Sequence, residues 1–300
     1  MKGKLAIISG LETRLFSFNN IVVGVATGIG PRILYLSQTK DPESNLFEVF
    51  PQAGVKTEEG FWRLYGGHRL WTSPEASPRT YSRDDKPVKI GFEKGRLLVT
   101  GSPEEKNLVQ KEIEITSHPC GGILVSHRIR NIGRWPIRFA CWALSVMQKE
   151  GVALIPLQPF AEKGRLLPDR HITLWPYTNL TDERLTFGNV YIAVKQSPQV
   201  KKPIKIGTFA LPAWTAYQVA TKVFVKSFFP SKGDYPDFGC SVEVYTNSEF
   251  LELETVGPLT TVEPGDYAEH QEVWEILETK KTDTDSLFRL VQSQRKFMPL

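Results

Sequence analysis

The chain has 300 residues, 41% of them hydrophobic, with 37 basic and 33 acidic side chains and a net charge of +4. This near balance gives no electrostatic case for nucleic acid or an anionic membrane surface. No apolar run approaches the ~20 residues of a membrane span, and three widely spaced cysteines (Cys120, Cys141 and Cys240) are neither a disulfide framework nor a zinc site.

The opening Met1-Lys2-Gly3-Lys4 is followed by only a short apolar run, Leu5 to Ile8, too short for a secretory leader. Reduced thiols and a cytoplasmic location are therefore expected. Next, Gly24-Val-Ala-Thr-Gly28-Ile-Gly30 has the look of a nucleotide-binding glycine loop. Pro31 and the strand-like Arg32-Ile-Leu-Tyr-Leu-Ser37 follow it, where a phosphate site needs a helix N-terminus. A turn between two strands is the better reading.

Trp62-Arg-Leu-Tyr65-Gly66-Gly67-His68-Arg69-Leu70-Trp71-Thr-Ser-Pro-Glu75 is the first segment that can carry chemistry. Paired glycines permit close backbone approach. His68 can transfer protons near neutral pH, and the planar fork of Arg69 can hold a carboxylate, phosphate or diol. The same residues also suit a buried aromatic cluster with a hydrogen-bonded histidine.

From there onward period-two alternation dominates. It marks strands at Lys111–Ile115, Val125–Ile129, Ile137–Cys141, Val190–Val194, Lys222–Lys226 and Ser241–Tyr245. The 21 prolines and 23 glycines punctuate the whole chain rather than one linker. Between these runs, Trp175-Pro176-Tyr177 offers either a stacking platform or a packed loop anchor. The run Asp283-Thr-Asp-Ser-Leu-Phe-Arg-Leu-Val-Gln predicts one C-terminal helix. Many short strands with one helix predict an all-β sandwich, residues 1–300 forming a single domain.

Two alternating runs flank Asn247-Ser248 and predict a two-residue hairpin. Pairing then sets Val244 opposite Leu251 and Val242 opposite Leu253 as core. Glu243 falls opposite Glu252 on the other face, with Tyr245, Phe250 and Glu254 beside them. Facing carboxylates need an offset such as a basic neighbour, a cation or a raised pKa. Lys222 and Lys226, on one face of the preceding run, are the candidate bases. The reading is a cleft floor fit for sugar hydroxyls and pyranose stacking; a solvated sheet face is the competing one. No histidine pair has metal-ligand spacing, so neither metal nor other cofactor is expected.

Together these segments resemble the galactose-mutarotase-like (aldose 1-epimerase) superfamily. Ile21-Val-Val-Gly-Val with Gly30-Pro-Arg32-Ile-Leu is similar to its opening strands. Gly66-Gly67-His68-Arg69-Leu70-Trp71 resembles the edge of its sugar cleft, and Leu253-Glu254-Thr-Val-Gly-Pro with Val262-Glu-Pro-Gly265 its late catalytic segment. The likeness spans about residues 18 to 278. It implies a supersandwich of large antiparallel sheets holding a small carbohydrate, with Glu254 as base. The family's acid is a histidine on a mid-chain strand; here that strand reads Phe139-Ala-Cys141-Trp142-Ala-Leu, with Trp142 near the histidine's place. His68 is the substitute acid. Arg69, Trp71, Glu75, Trp142, Trp175, Lys226, Glu243, Tyr245 and Glu252 are the expected binding residues. The alternative is a carbohydrate-binding module that has lost its acid. A lyase using Tyr245 beside Lys226 is the third reading.

Overall fold

The computed structural model describes residues 3–158 and 166–294, so Met1 and Lys2 of the opening stretch lie outside it. The predicted alternating runs fall on strands, Val190 and Ser241 each lying one residue ahead of theirs, and the strands assemble into two large antiparallel sheets and one small ribbon.

The first sheet has eleven strands. Its path begins with Lys4–Ile8, Leu11–Phe18, Ile21–Ala26 and Arg32–Gln38. It continues through His68–Ser73, Ile137–Met147, Leu251–Val256, Val242–Thr246 and Ile204–Thr208 to Thr173–Leu174, and the eleventh strand, Thr260–Val262, pairs with Ile137–Met147 off this path. The second has ten strands, with Lys222–Phe228, Tyr267–Glu278 and Ile123–Asn131 near its centre. Val49–Thr57 and Gly60–Gly66 form the separate ribbon. The C-terminal helix runs Thr284–Gln294, and the Asp283 carboxylate accepts the Ser286 N–H at 2.7 Å as its cap.

Inward side chains of both large sheets fill the space between them. Phe47 meets Phe224 and Trp274 edge to face at 5.9 Å. Because side chains alternate along a strand, the same strands also present a second set outward. The segment after Gly66-Gly67 shows what this parity does. A Cβ on Gly66 would sit 2.2 Å from the Glu48 carbonyl oxygen, and one on Gly67 2.3 Å from that of Ile33. The glycines thus let the chain leave the ribbon and enter the large sheet at His68. From there His68 pairs with Ser145 and points between the sheets; Arg69 pairs with Leu144 and Trp71 with Trp142 on the opposite face.

The hairpin differs from the expected register. Its turn is four residues, Asn247–Phe250, because Asn247 Oδ1 accepts the N–H groups of Glu249 (2.7 Å) and Phe250 (3.0 Å). The last pair is Thr246 with Leu251. Val244 therefore faces Leu253, Tyr245 faces Glu252, and Glu243 faces Glu254 rather than Glu252. The slip is two positions, an even number, so the expected face assignment survives while the partners change. Among the described residues, no helix is long and apolar enough to cross a membrane.

Candidate functional site

The outward face of the first sheet, around its middle strands, holds a cleft of about 480 Å³. Arg69, Trp71, Trp142, Lys205, Tyr245 and Glu252 rise from the sheet into its lining; Trp62, Glu75, Tyr81 and Tyr177 come from the ribbon and loops. Trp71 packs against Trp142 at 5.5 Å and 65°, and against Trp62 at 5.4 Å. Tyr177 and Tyr245 make an edge contact at 6.4 Å. The Arg69 guanidinium lies 4.2 Å from the Trp71 ring centre and 2.7 Å from Glu252 Oε1. Glu75, exposed at the rim, accepts a short hydrogen bond from the Tyr81 hydroxyl.

Lys205 is the residue that sequence reasoning missed. Its Nζ lies 4.5 Å from the Trp142 ring centre and 4.6 Å from that of Trp175. It also lies 2.7 Å from Glu243 Oε2 and 2.9 Å from Glu254 Oε2. It is therefore the cation that two neighbouring carboxyls require. The signal was present in Ile204-Lys-Ile-Gly-Thr208, a short alternating run with a lysine at its second position. Gly207 stands across from Glu243, and a Cβ there would come within 3.1 Å of the Glu243 Cγ and 2.7 Å of the Cys240 sulfur. Glycine thus leaves room for Glu243 to lie under the sheet face.

Glu243 and Glu254 have no solvent exposure, and burial raises both carboxyls above their usual range, Glu243 the further. Burial also opposes the Lys205 charge, but the two carboxyls beside it lift its ammonium well above the usual range. The Trp142 indole donates to Glu254 Oε2 at 2.8 Å, so that one oxygen receives both Trp142 and Lys205. Glu254 Oε1 has no partner among the described residues.

His68 and Lys226 are not in this cleft. Both face the space between the sheets, where they join a closed polar network. Ser145 Oγ lies 2.8 Å from His68 Nδ1, His68 Nε2 lies 2.7 Å from His127 Nε2, and His127 Nδ1 is 3.0 Å from the His270 carbonyl. One proton arrangement satisfies every group: Ser145 donates to His68, His68 to His127, and His127 to the carbonyl. Lys226 Nζ is 2.8 Å from Glu272 Oε1 and donates to the carbonyls of Ala143 (3.1 Å) and Leu253 (3.2 Å). The expected pairing of Lys226 with Glu243 is corrected: Lys226 belongs to the other sheet and neutralises Glu272. His68 Nε2, His127 Nε2 and a Glu272 oxygen lie within 4.8 Å of one another, a spacing that can hold a metal ion. Lys226 already balances the Glu272 charge there, and the two ring nitrogens bond each other.

This network makes acid stability predictable. Burial lowers the His68 and His127 imidazoles, His68 well below the usual range, and lowers His270 to about 3. A depressed histidine contributes its stability above pH ~6.5, the unfolded value. As pH falls below that, the unfolded chain takes up protons that the folded one refuses, and stability is lost. The raised Glu243 and Glu254 act in the opposite sense. The proton that His270 refuses costs about 2 kcal/mol by pH 5. Urea denaturation of wild type and His270→Gln at pH 7 and pH 5 checks this: the variant should lose about that much less on acidification. Equal losses would remove His270 from the account.

A second cleft, of about 440 Å³, lies on the other side of Trp71. Its charges largely pair with each other, as in Lys111–Glu104 (2.5 Å) and Lys86–Glu105 (3.5 Å). It lacks the aromatic floor of the first.

No family model matches the chain, and no curated protein does. Solved structures do. The chain is similar to a galactose mutarotase-like protein from Lactobacillus casei at 11% identity, with TM-score 0.54 over 88% of this chain and 100% of that one. It is similar to a candidate aldose 1-epimerase from Klebsiella pneumoniae at 13% identity, with TM-score 0.58 over 97% and 84%. A candidate mutarotase from Salmonella typhimurium gives TM-score 0.58 at 9% identity over 93% and 94%. At such identities the likeness is one of fold, and with the two large antiparallel sheets and the single C-terminal helix it leads to one statement: this chain has the galactose-mutarotase-like fold.

Proposed function

We propose that this chain binds a saccharide in the cleft over Trp71, Trp142 and Lys205 and does not catalyse anomer exchange. The aromatic walls suit the apolar faces of a pyranose, and Arg69, Glu252, Lys205 and Glu75 suit its hydroxyls. The solved structures of the same fold whose names carry mutarotase or aldose 1-epimerase support a sugar ligand.

The observation that carries the non-catalytic reading is the state of Glu254. Its Oε2 already receives the Trp142 indole and the Lys205 ammonium. Ring opening also needs an acid to protonate the ring oxygen. None of the five histidines lines the cleft, and Lys205 holds its proton too tightly to serve. His118 sits in a turn and His171 on an exposed stretch; the other three lie between the sheets.

The epimerase reading, with Glu254 as base, is favoured by one observation. Burial raises the Glu254 carboxyl above its usual range, and its Oε1 has no partner among the described residues. One pair of experiments separates the readings. Saccharide titrations followed by tryptophan fluorescence should saturate for at least one of D-galactose, D-glucose or their 6-phosphates. Exchange NMR of α and β anomers of the same sugars should give buffer rates. Acceleration above buffer would establish the epimerase; absence of any binding would remove the saccharide reading.

A further inference from the structure

Glu243, Lys205 and Glu254 place two carboxyls on one ammonium, at 2.7 and 2.9 Å, with both carboxyls shut off from water. Fully ionised, the trio would carry a net negative charge where none can be solvated. A buried group in that position neutralises itself by taking up a proton. The surroundings decide which carboxyl takes it. Glu254 Oε2 receives two donors, from Trp142 and Lys205, and donors hold a carboxylate ionised. The groups facing Glu243 are different. Lys205 reaches it from the Ile204–Thr208 strand, Glu254 from the Leu251–Val256 strand, and Asp237 from the turn before it. The Cys240 thiol lies nearby, and Gly207 across from it has no side chain. Glu243 Oε1 has no partner among the described residues.

We infer that Glu243 is a neutral carboxylic acid at pH 7 and a positioning residue for the cleft. As a neutral acid in contact with the ammonium at 2.7 Å, it leaves more of the Lys205 charge to the cleft, where Nζ stands 4.5 Å from the Trp142 ring centre and 4.6 Å from that of Trp175. Burial, with Glu254 as a like charge beside it, pushes Glu243 in the required direction. This rests on the saccharide reading for its consequence in binding, though not for the proton itself. When Glu243 ionises at higher pH, a second carboxylate neutralises the Lys205 ammonium it already touches at 2.7 Å, and saccharide affinity falls.

Infrared difference spectroscopy of the full chain, unlabelled and with 13C-glutamate, reads the proton directly. Wild type at pH 7 should show a carboxylic-acid carbonyl band that shifts with the label and is missing in Glu243→Gln. Absence of such a band in wild type overturns the inference. So does a band that persists in Glu243→Gln and vanishes in Glu254→Gln. If Glu243→Gln does not fold, the wild-type band and its loss on raising pH decide the matter.

Titrations with D-galactose and D-glucose at pH 7 and pH 9 read the positioning. Wild-type affinity should fall by up to about tenfold per pH unit beyond the ionisation, and the Glu243→Gln profile should be flat. Parallel slopes in the two proteins overturn the positioning role. If neither sugar binds, the saccharide reading fails, while the infrared band still tests the proton.

Discussion

Lys205→Met is expected to abolish measurable saccharide binding and to destabilise the chain by about 3–5 kcal/mol at pH 8, the cost typical of leaving a buried charge without its partner. The ammonium is the cation that Glu243 and Glu254 share, and both carboxyls are shut off from water. The loss should shrink at pH 5. Glu243, inferred to be neutral, already carries its proton, and Glu254, raised by burial, takes one up more readily as pH falls. Urea denaturation at the two pH values measures this difference. An equal loss at both would mean that Lys205 contributes through its aliphatic stem against Trp142 and Trp175, and not through its charge.

Lys226→Met is expected to cost a similar 3–5 kcal/mol, but for stability alone. Lys226 ties its sheet to the other through the carbonyls of Ala143 and Leu253, and pairs with Glu272 on the neighbouring strand of its own sheet. Glu272 is held at about 2 despite its burial, because the Lys226 ammonium beside it favours its ionised form. Burial lowers the Lys226 ammonium against the pull of Glu272, and the loss is read at pH 7, where Glu272 is ionised. The double variant Lys226→Met/Glu272→Gln should recover most of it, since removing both partners leaves no isolated charge. Double-variant losses equal to the sum of the singles would show that the two side chains act independently.

These expectations separate two polar groups that lie on opposite faces of neighbouring strands. Thr255 and Glu254 are consecutive, yet Thr255 bonds His270 between the sheets while Glu254 bonds Lys205 and Trp142 in the outer group. The inner group holds the sandwich together; the outer one shapes the cleft. The expected site mixed them. Glu254, Arg69, Trp71, Trp142, Trp175, Tyr245, Glu252, Glu243 and Glu75 fall in or beside the cleft. His68 and Lys226 fall behind it.

Alternation within each run is a local property, and it was enough to predict the all-β class, the strands, the cap of the final helix and the common face of Glu243, Glu252 and Glu254. An even slip in register leaves that face intact, which is why the hairpin could be misjudged and its carboxylates still be grouped correctly. Which of two faces meets the partner sheet is a different matter. His68 and Arg69 are adjacent in sequence, and nothing local says which one turns inward; the docking of the second sheet, bringing His127 against His68, decides it. Lys205, Glu243 and Glu254 likewise come together only through the order of three strands. Charge compensation in a buried site is set by distances across the sheet, and that information belongs to the tertiary structure and not to any window of the chain.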